Sequence, residues 1–162
     1  MGPTGTQGIR GYTGEQGEPG EDATPGMASS GSLYWTTYTP SWASTGTTPT
    51  IGNGSITGKW IRINPFTVLW KIKLTWGSTT NGGTGVWLFG APVTAIDTSA
   101  YSEPGGAVLN DSSSGQHIGQ VIKFNATSVY VQTDVAPNGI TAISDFTWAV
   151  NDTLLTQSIW EA

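Results

Sequence analysis

The chain contains no cysteine. Disulfides, thiolate nucleophiles and cysteine-based metal sites are excluded, so stability has to come from a packed core and from association between chains. Charge is scarce: Asp, Glu, Lys and Arg together make up 10% of residues, against roughly a quarter in an average soluble domain. Six basic residues face eleven acidic ones, for a net charge of −5. That balance supplies no basic patch for phosphate, so nucleic acid is not an expected partner. No apolar run approaches the roughly 18 residues of a membrane span, and no membrane insertion is expected. Helical periodicity is missing as well. Threonine, serine, asparagine and glycine carry the polarity, a choice that suits strands and turns over surface helices.

The strongest positive signal is glycine at every third position: Gly2, Gly5, Gly8, Gly11, Gly14, Gly17 and Gly20. Only glycine fits the crowded axis of a collagen triple helix, so the run predicts that three copies wind together, with these glycines on the axis. The frame breaks at Ala23, where a methyl group would stand at the axis, and returns at Gly26. Residues 1–26 are therefore read as a collagen-like stalk, its seven regular triplets giving a rod of roughly 60 Å. Residues 27–33 form a flexible linker and residues 34–162 one further domain of ordinary size. With only Pro3 and Pro19 in the triplets, the stalk is weak alone and needs the following domain to hold it in register. Glu15, Glu18, Glu21 and Asp22 against Arg10 place most of the net charge in the stalk. Met1 runs straight into the repeat without a signal-peptide pattern, and more triplets upstream fit the same period.

All eight tryptophans lie beyond Leu33. From Phe66 to Trp76 the sequence alternates, with Phe66, Val68, Trp70, Ile72, Leu74 and Trp76 on one face and Thr67, Leu69, Lys71, Lys73 and Thr75 on the other. That is a long strand with one dry face. Gly58–Ile63, Trp87–Phe89, Ile118–Phe124, Val129–Thr133, Phe146–Val150 and Thr156–Trp160 read as further strands, with Asn125–Ser128 turning a hairpin. Gly77–Gly85 is a loop by composition; it lacks the lysine and the following helix of a phosphate loop. Many short strands with regular turn signals predict an all-β fold, a jelly-roll-like antiparallel β-sandwich built as a homotrimer.

The segments Tyr38–Trp42, Thr48–Trp60, Ile72–Gly85 and Ala91–Val93 resemble a C-terminal domain of phage tail and prophage proteins that often follows collagen-like repeats. The resemblance covers residues 34 to 95. It implies a homotrimeric β-sandwich at the far end of a tail fibre or similar virion appendage, with a role in adhesion to the host surface. Its motif residues are turn glycines and tryptophans, so it carries over no catalytic or binding residue. The stalk with a capping β domain is also similar to bacterial surface and spore-coat filaments, and distantly to collagen-stalked complement-type trimers. The bacterial cell surface is thus the alternative location.

Candidate chemistry is sparse. Glycan hydrolysis needs two carboxylates about 5–10 Å apart, and Asp97, Glu103, Asp111, Asp134, Asp145, Asp152 and Glu161 stand singly in turn-like contexts. No enzyme activity, metal or cofactor is expected. His117 is the sole histidine; three copies on a threefold axis could make a metal site, but a loop histidine after Ser112–Gln116 is the simpler reading. The sequons at Asn53, Asn110, Asn125 and Asn151 read as turn asparagines, not glycan acceptors. A sugar ring stacks its C–H face on an exposed aromatic side chain, which makes Trp42, Trp87 and Tyr101 the candidate contacts for a host cell-surface polysaccharide. Packing is the alternative for Trp42 and Trp87. The sequence thus points to a stalked trimeric adhesin. The alternatives are a purely structural trimerisation domain and, less favoured, a polysaccharide-cleaving tail enzyme.

Overall fold

In the computed structural model, which describes residues 1–3, 5, 34–96, 105–143 and 147–162, the alternation of β-type sequence becomes a single antiparallel sheet. Its nine strands are β1 (Thr36–Tyr38), β2 (Trp42–Ser44), β3 (Ser55–Asn64), β4 (Thr67–Thr75), β5 (Trp87–Gly90), β6 (Gly105–Asp111), β7 (Gly115–Asn125), β8 (Ser128–Thr133) and β9 (Thr153–Glu161). No helix occurs among the described residues. The expected stalk axis from Gly8 to Gly20, and the linker 27–33, lie outside them; Gly2 and Gly5 are within them.

The strand order is β1-β3-β4-β9-β6-β7-β8-β5-β2. Strands β1 and β2 are therefore the two outer edges, yet only Thr39, Pro40 and Ser41 separate them in the chain. Three linking residues span at most about 14 Å, so the sheet has to curl until its edges meet. Tyr38 on β1 marks the seam: its hydroxyl donates to the Gly90 carbonyl on β5 at 3.3 Å. Closing the sheet hides backbone that an open edge would offer to other chains. This curled antiparallel sheet fits a β-sandwich.

The core fills the inside of the curl. On β4 the expected dry face is confirmed: Val68, Trp70, Ile72 and Leu74 are buried, as is Trp76 just beyond its end, whereas Lys71 and Lys73 opposite are exposed. Phe66 departs from the pattern. It sits in the β3–β4 turn and is 67% exposed, because the strand begins only at Thr67. On β9, Leu154, Thr156, Ser158 and Trp160 point inward. Leu109, Val121, Val129, Val131, Trp87 and Phe89 complete the interior. Each fully buried large side chain contributes on the order of 1.5–3 kcal/mol.

Two expectations are corrected. Residues 147–150 form no strand; Asp152 N–H donates to the Ala149 carbonyl and Asn151 N–H to the Trp76 carbonyl, making a turn that leads into β9. His117 lies not in a loop but on β7, opposite Leu109. Strand β6 was not anticipated, since its opening Gly105-Gly106 reads as a turn.

Register divides the domain into two ends. Strand β1 runs antiparallel to β3, with Thr36 opposite Trp60 and Tyr38 opposite Gly58. The chain therefore enters beside the β3–β4 turn. That base also holds the β7–β8 turn and the C-terminal Glu161-Ala162. At the other end lie the loop 45–54 before β3, the loop 76–86 after β4 and the β6–β7 turn.

Candidate functional site

The loops 45–54 and 76–86 are built almost wholly from threonine, asparagine, serine and glycine, residues that favour turns and would be frayed without partners. Here they partner each other. Thr50 and Asn81 exchange backbone hydrogen bonds of 2.8 and 2.9 Å, and Thr45 N–H donates to the Val86 carbonyl at 3.0 Å. The Thr84 hydroxyl oxygen accepts from Thr47 N–H at 3.0 Å. Asn53 is the central clasp: its Nδ2 donates to Ser78 Oγ at 2.9 Å, and its Oδ1 accepts from Thr79 N–H and Oγ1 at 2.9 and 3.0 Å. The Asn53 N–H in turn donates to Thr79 Oγ1 at 2.8 Å. Gly52 and Gly83 adopt positive φ values of 56° and 63°, and a Cβ at either would run into the backbone of the facing loop. Glycine there lets the two backbones approach directly.

Beneath the loops lies a cluster of four tryptophans. Trp76 and Trp87 stack with ring centroids 5.8 Å apart, and Trp148 stacks on Trp76 at 5.6 Å. Trp42 meets Trp87 edge-on at 5.0 Å. Trp87 Nε1–H donates to the Gly82 carbonyl at 2.7 Å, which ties the cluster to the loop above it. Trp87 is therefore not a surface residue. It is fully buried, offers no face to a sugar ring, and serves as the floor of the loop. Trp42 is half-buried and packs on Trp76 and Trp87. Tyr101 lies outside the described residues. Among the described residues, the exposed aromatic side chains Tyr34, Trp35, Phe66 and Phe124 belong to the base, away from these loops.

Charge is nearly absent from the described residues of the distal end. Among the described residues of loops 45–54, 76–86, 112–114 and 134–143 there is no Lys or Arg, and Asp134 is the one exposed carboxylate. Two more carboxylates are buried there. Asp111 Oδ1 accepts from Ser113 N–H at 2.7 Å and Ser113 Oγ at 2.6 Å, and its Oδ2 from Ser114 Oγ at 2.5 Å. The hydroxyls of Ser113 and Ser114, followed by backbone N–H groups, lower its pKa to about 2. Asp152 accepts from Ser112 N–H and Oγ, both at 2.8 Å, and from Ala149 N–H at 2.6 Å. The fold thus gathers two carboxylates around one turn, which spacing in sequence did not reveal. Both act as turn caps, and Asp111, held near pKa 2, has no proton to donate at neutral pH. Asn53 and Asn125 are turn asparagines as expected; Asn125 Oδ1 accepts from Thr127 N–H at 2.9 Å and Ser128 Oγ at 2.9 Å.

A second feature occupies the outward face of β4, β9, β6 and β7. A groove of about 870 Å³ runs across it, lined mainly by apolar surface with Lys59, Lys71 and Lys73 along one side. Among the described residues no group of three His, Cys, Asp or Glu side chains could hold a metal ion, and no helix is long and apolar enough to cross a membrane. Compared with protein-family models, curated proteins and solved structures, the chain matches none.

Proposed function

We propose that this chain is the subunit of a homotrimeric, stalk-borne adhesin of a virion tail appendage, the bacterial cell surface being the alternative setting. Its β domain is a jelly-roll-like sandwich that caps a collagen-like stalk. Its recognition surface is the pair of loops 45–54 and 76–86, and its ligand class is a hydroxyl-rich polysaccharide without formal charge on the host surface. The observation that carries this reading is the placement of those loops at the end opposite the chain's entry, presented as a rigid, uncharged surface of hydroxyls and amides. Such a surface matches neutral sugars by hydrogen bonding and gives a charged polymer nothing to pair with. Because Asn53, Thr47 and Thr84 already hold the loops together, little conformational entropy remains to be lost on binding. Three tethered copies of a weak site gain avidity.

The test is binding of the full-length trimer to host cells and to an array of neutral and anionic glycans. Thr48→Arg, at an exposed loop position, and Asn53→Ala, which unclasps the loops, should each reduce avidity by roughly tenfold or more while leaving the trimer intact. Unchanged binding in both variants, or preference for anionic glycans, overturns the reading. A purely structural role, registering the stalk, is the second reading, and it is favoured by the apolar groove on the outward sheet face.

A further inference from the structure

The outward face of β4, β9, β6 and β7 should be polar if it only met water, because an antiparallel sheet with one covered face normally alternates apolar-in and polar-out. It is not. Ladder register places Leu69 beside Ile159, and Leu155 beside Val108, which lies opposite Ile118. Ile118, Ile159 and Leu155 are 67%, 51% and 45% exposed. At the centre of this face Gly106 pairs with Gln157 on one side and Gln120 on the other. A Cβ at Gly106 would touch nothing, so the missing side chain leaves a depression in the middle of the groove.

We infer that this face is the contact between copies of the chain around the threefold axis, the occupant of the groove being a second copy. The inference rests on the homotrimeric reading and adds the surface that makes the trimer. Two observations select a second copy as the occupant. The glycine period demands three chains, and the described domain begins at Tyr34 and Trp35, with the Lys71 ammonium 4.5 Å from the centre of the Trp35 ring. Lys71 lines the groove. The first residues of the described domain are thus laid along the groove's rim. In a homotrimer three copies of this start stand around one axis, so the face beside them is turned toward the neighbouring copies. A ring contact is heterologous, joining a hollow on one copy to a projection on the next. The base supplies projections in Phe66 and Phe124, which are 67% and 51% exposed.

The absence of native cysteine makes the test direct. Leu155→Cys on the face and Val135→Cys on a distal loop are made singly in the full-length chain, since both side chains are exposed in one copy. A maleimide is used as the probe. In the assembled trimer the thiol at 155 should react at least about tenfold more slowly than that at 135, because the core of an interface excludes water. The two rates should converge once the chains separate. The double variant Leu155→Glu/Ile159→Glu, with near-ultraviolet circular dichroism as the check on fold, should give folded monomers. Equal labelling rates in a trimer of confirmed mass overturn the inference and leave the face free for a different partner. So does a Glu variant that stays trimeric. A parent chain that sediments as a monomer overturns the homotrimeric reading itself, and is distinguished by that measurement alone.

Discussion

Removing the indole of Trp87 separates a structural role for the tryptophan cluster from a sugar-stacking one. Trp87 is fully buried, lies within 5.8 Å of three other indoles by ring centroid, and donates to the Gly82 carbonyl at 2.7 Å. Truncation of a buried aromatic to alanine costs about 3–5 kcal/mol. Lost ring–ring terms of about 0.5–1.5 kcal/mol each overlap with that figure, so Trp87→Ala should cost about 5 kcal/mol. That equals the whole stability of a marginal domain, and the variant should be largely unfolded. Trp87→Phe keeps a ring but leaves the Gly82 carbonyl without its donor, and should cost about 2 kcal/mol. Trp42→Phe provides the contrast. The Trp42 Nε1–H is buried without an acceptor, so removing it relieves an unpaired donor, and the cost should be well below that of Trp87→Phe. Urea denaturation of the three variants, followed by tryptophan fluorescence, measures all of this. Two outcomes would refute the reasoning: equal costs at positions 42 and 87, or a Trp87→Phe protein as stable as the parent that no longer binds glycan.

Asp111 should make the domain sensitive to acid. Its pKa is lowered to about 2 in the folded state, so between the ordinary carboxylate value and about 2 the unfolded chain binds a proton that the folded chain does not, and stability falls as pH falls through that window. Asp111→Asn should lower the melting temperature at neutral pH and flatten its decline below about pH 4; a decline as steep as in the parent would place the acid-sensitive group elsewhere. Gly58→Ala should open the seam, because the Tyr38 ring lies directly against Gly58 and a Cβ there would overlap it. The expected cost is about 2–3 kcal/mol, and it should nearly vanish in a Tyr38→Ala background if displacement of that ring is the cause.

How far the fold could be read in advance depended on strand length. Strand β4, the β7–β8 hairpin and β9 are legible because several consecutive alternations expose the period of two. Strands β1 and β2 have three residues each, too few to show any period, and β6 opens on two glycines that read as a turn. The stretch near Trp148 looked like a strand because it is apolar, but the backbone hydrogen bonds of 149–152 close a turn instead. The loop Gly77–Gly85 was legible by composition. Its clasp to the loop 45–54 through Asn53 was not, because the Asn53 partners Ser78 and Thr79 lie 25 and 26 residues away.

By itself, the sequence determined the β class and the inward face of the long strand. Both are local properties, set by side-chain alternation along the strand. Only the tertiary structure decided which tryptophans are floor and which are surface, that the polar loops stand opposite the chain's entry, and that the apolar residues of β4, β9, β6 and β7 form one outward face. The reason is common to all three: each depends on strand order and ladder register. Those are fixed only when the sheet curls and its two edges, three linking residues apart, are drawn together.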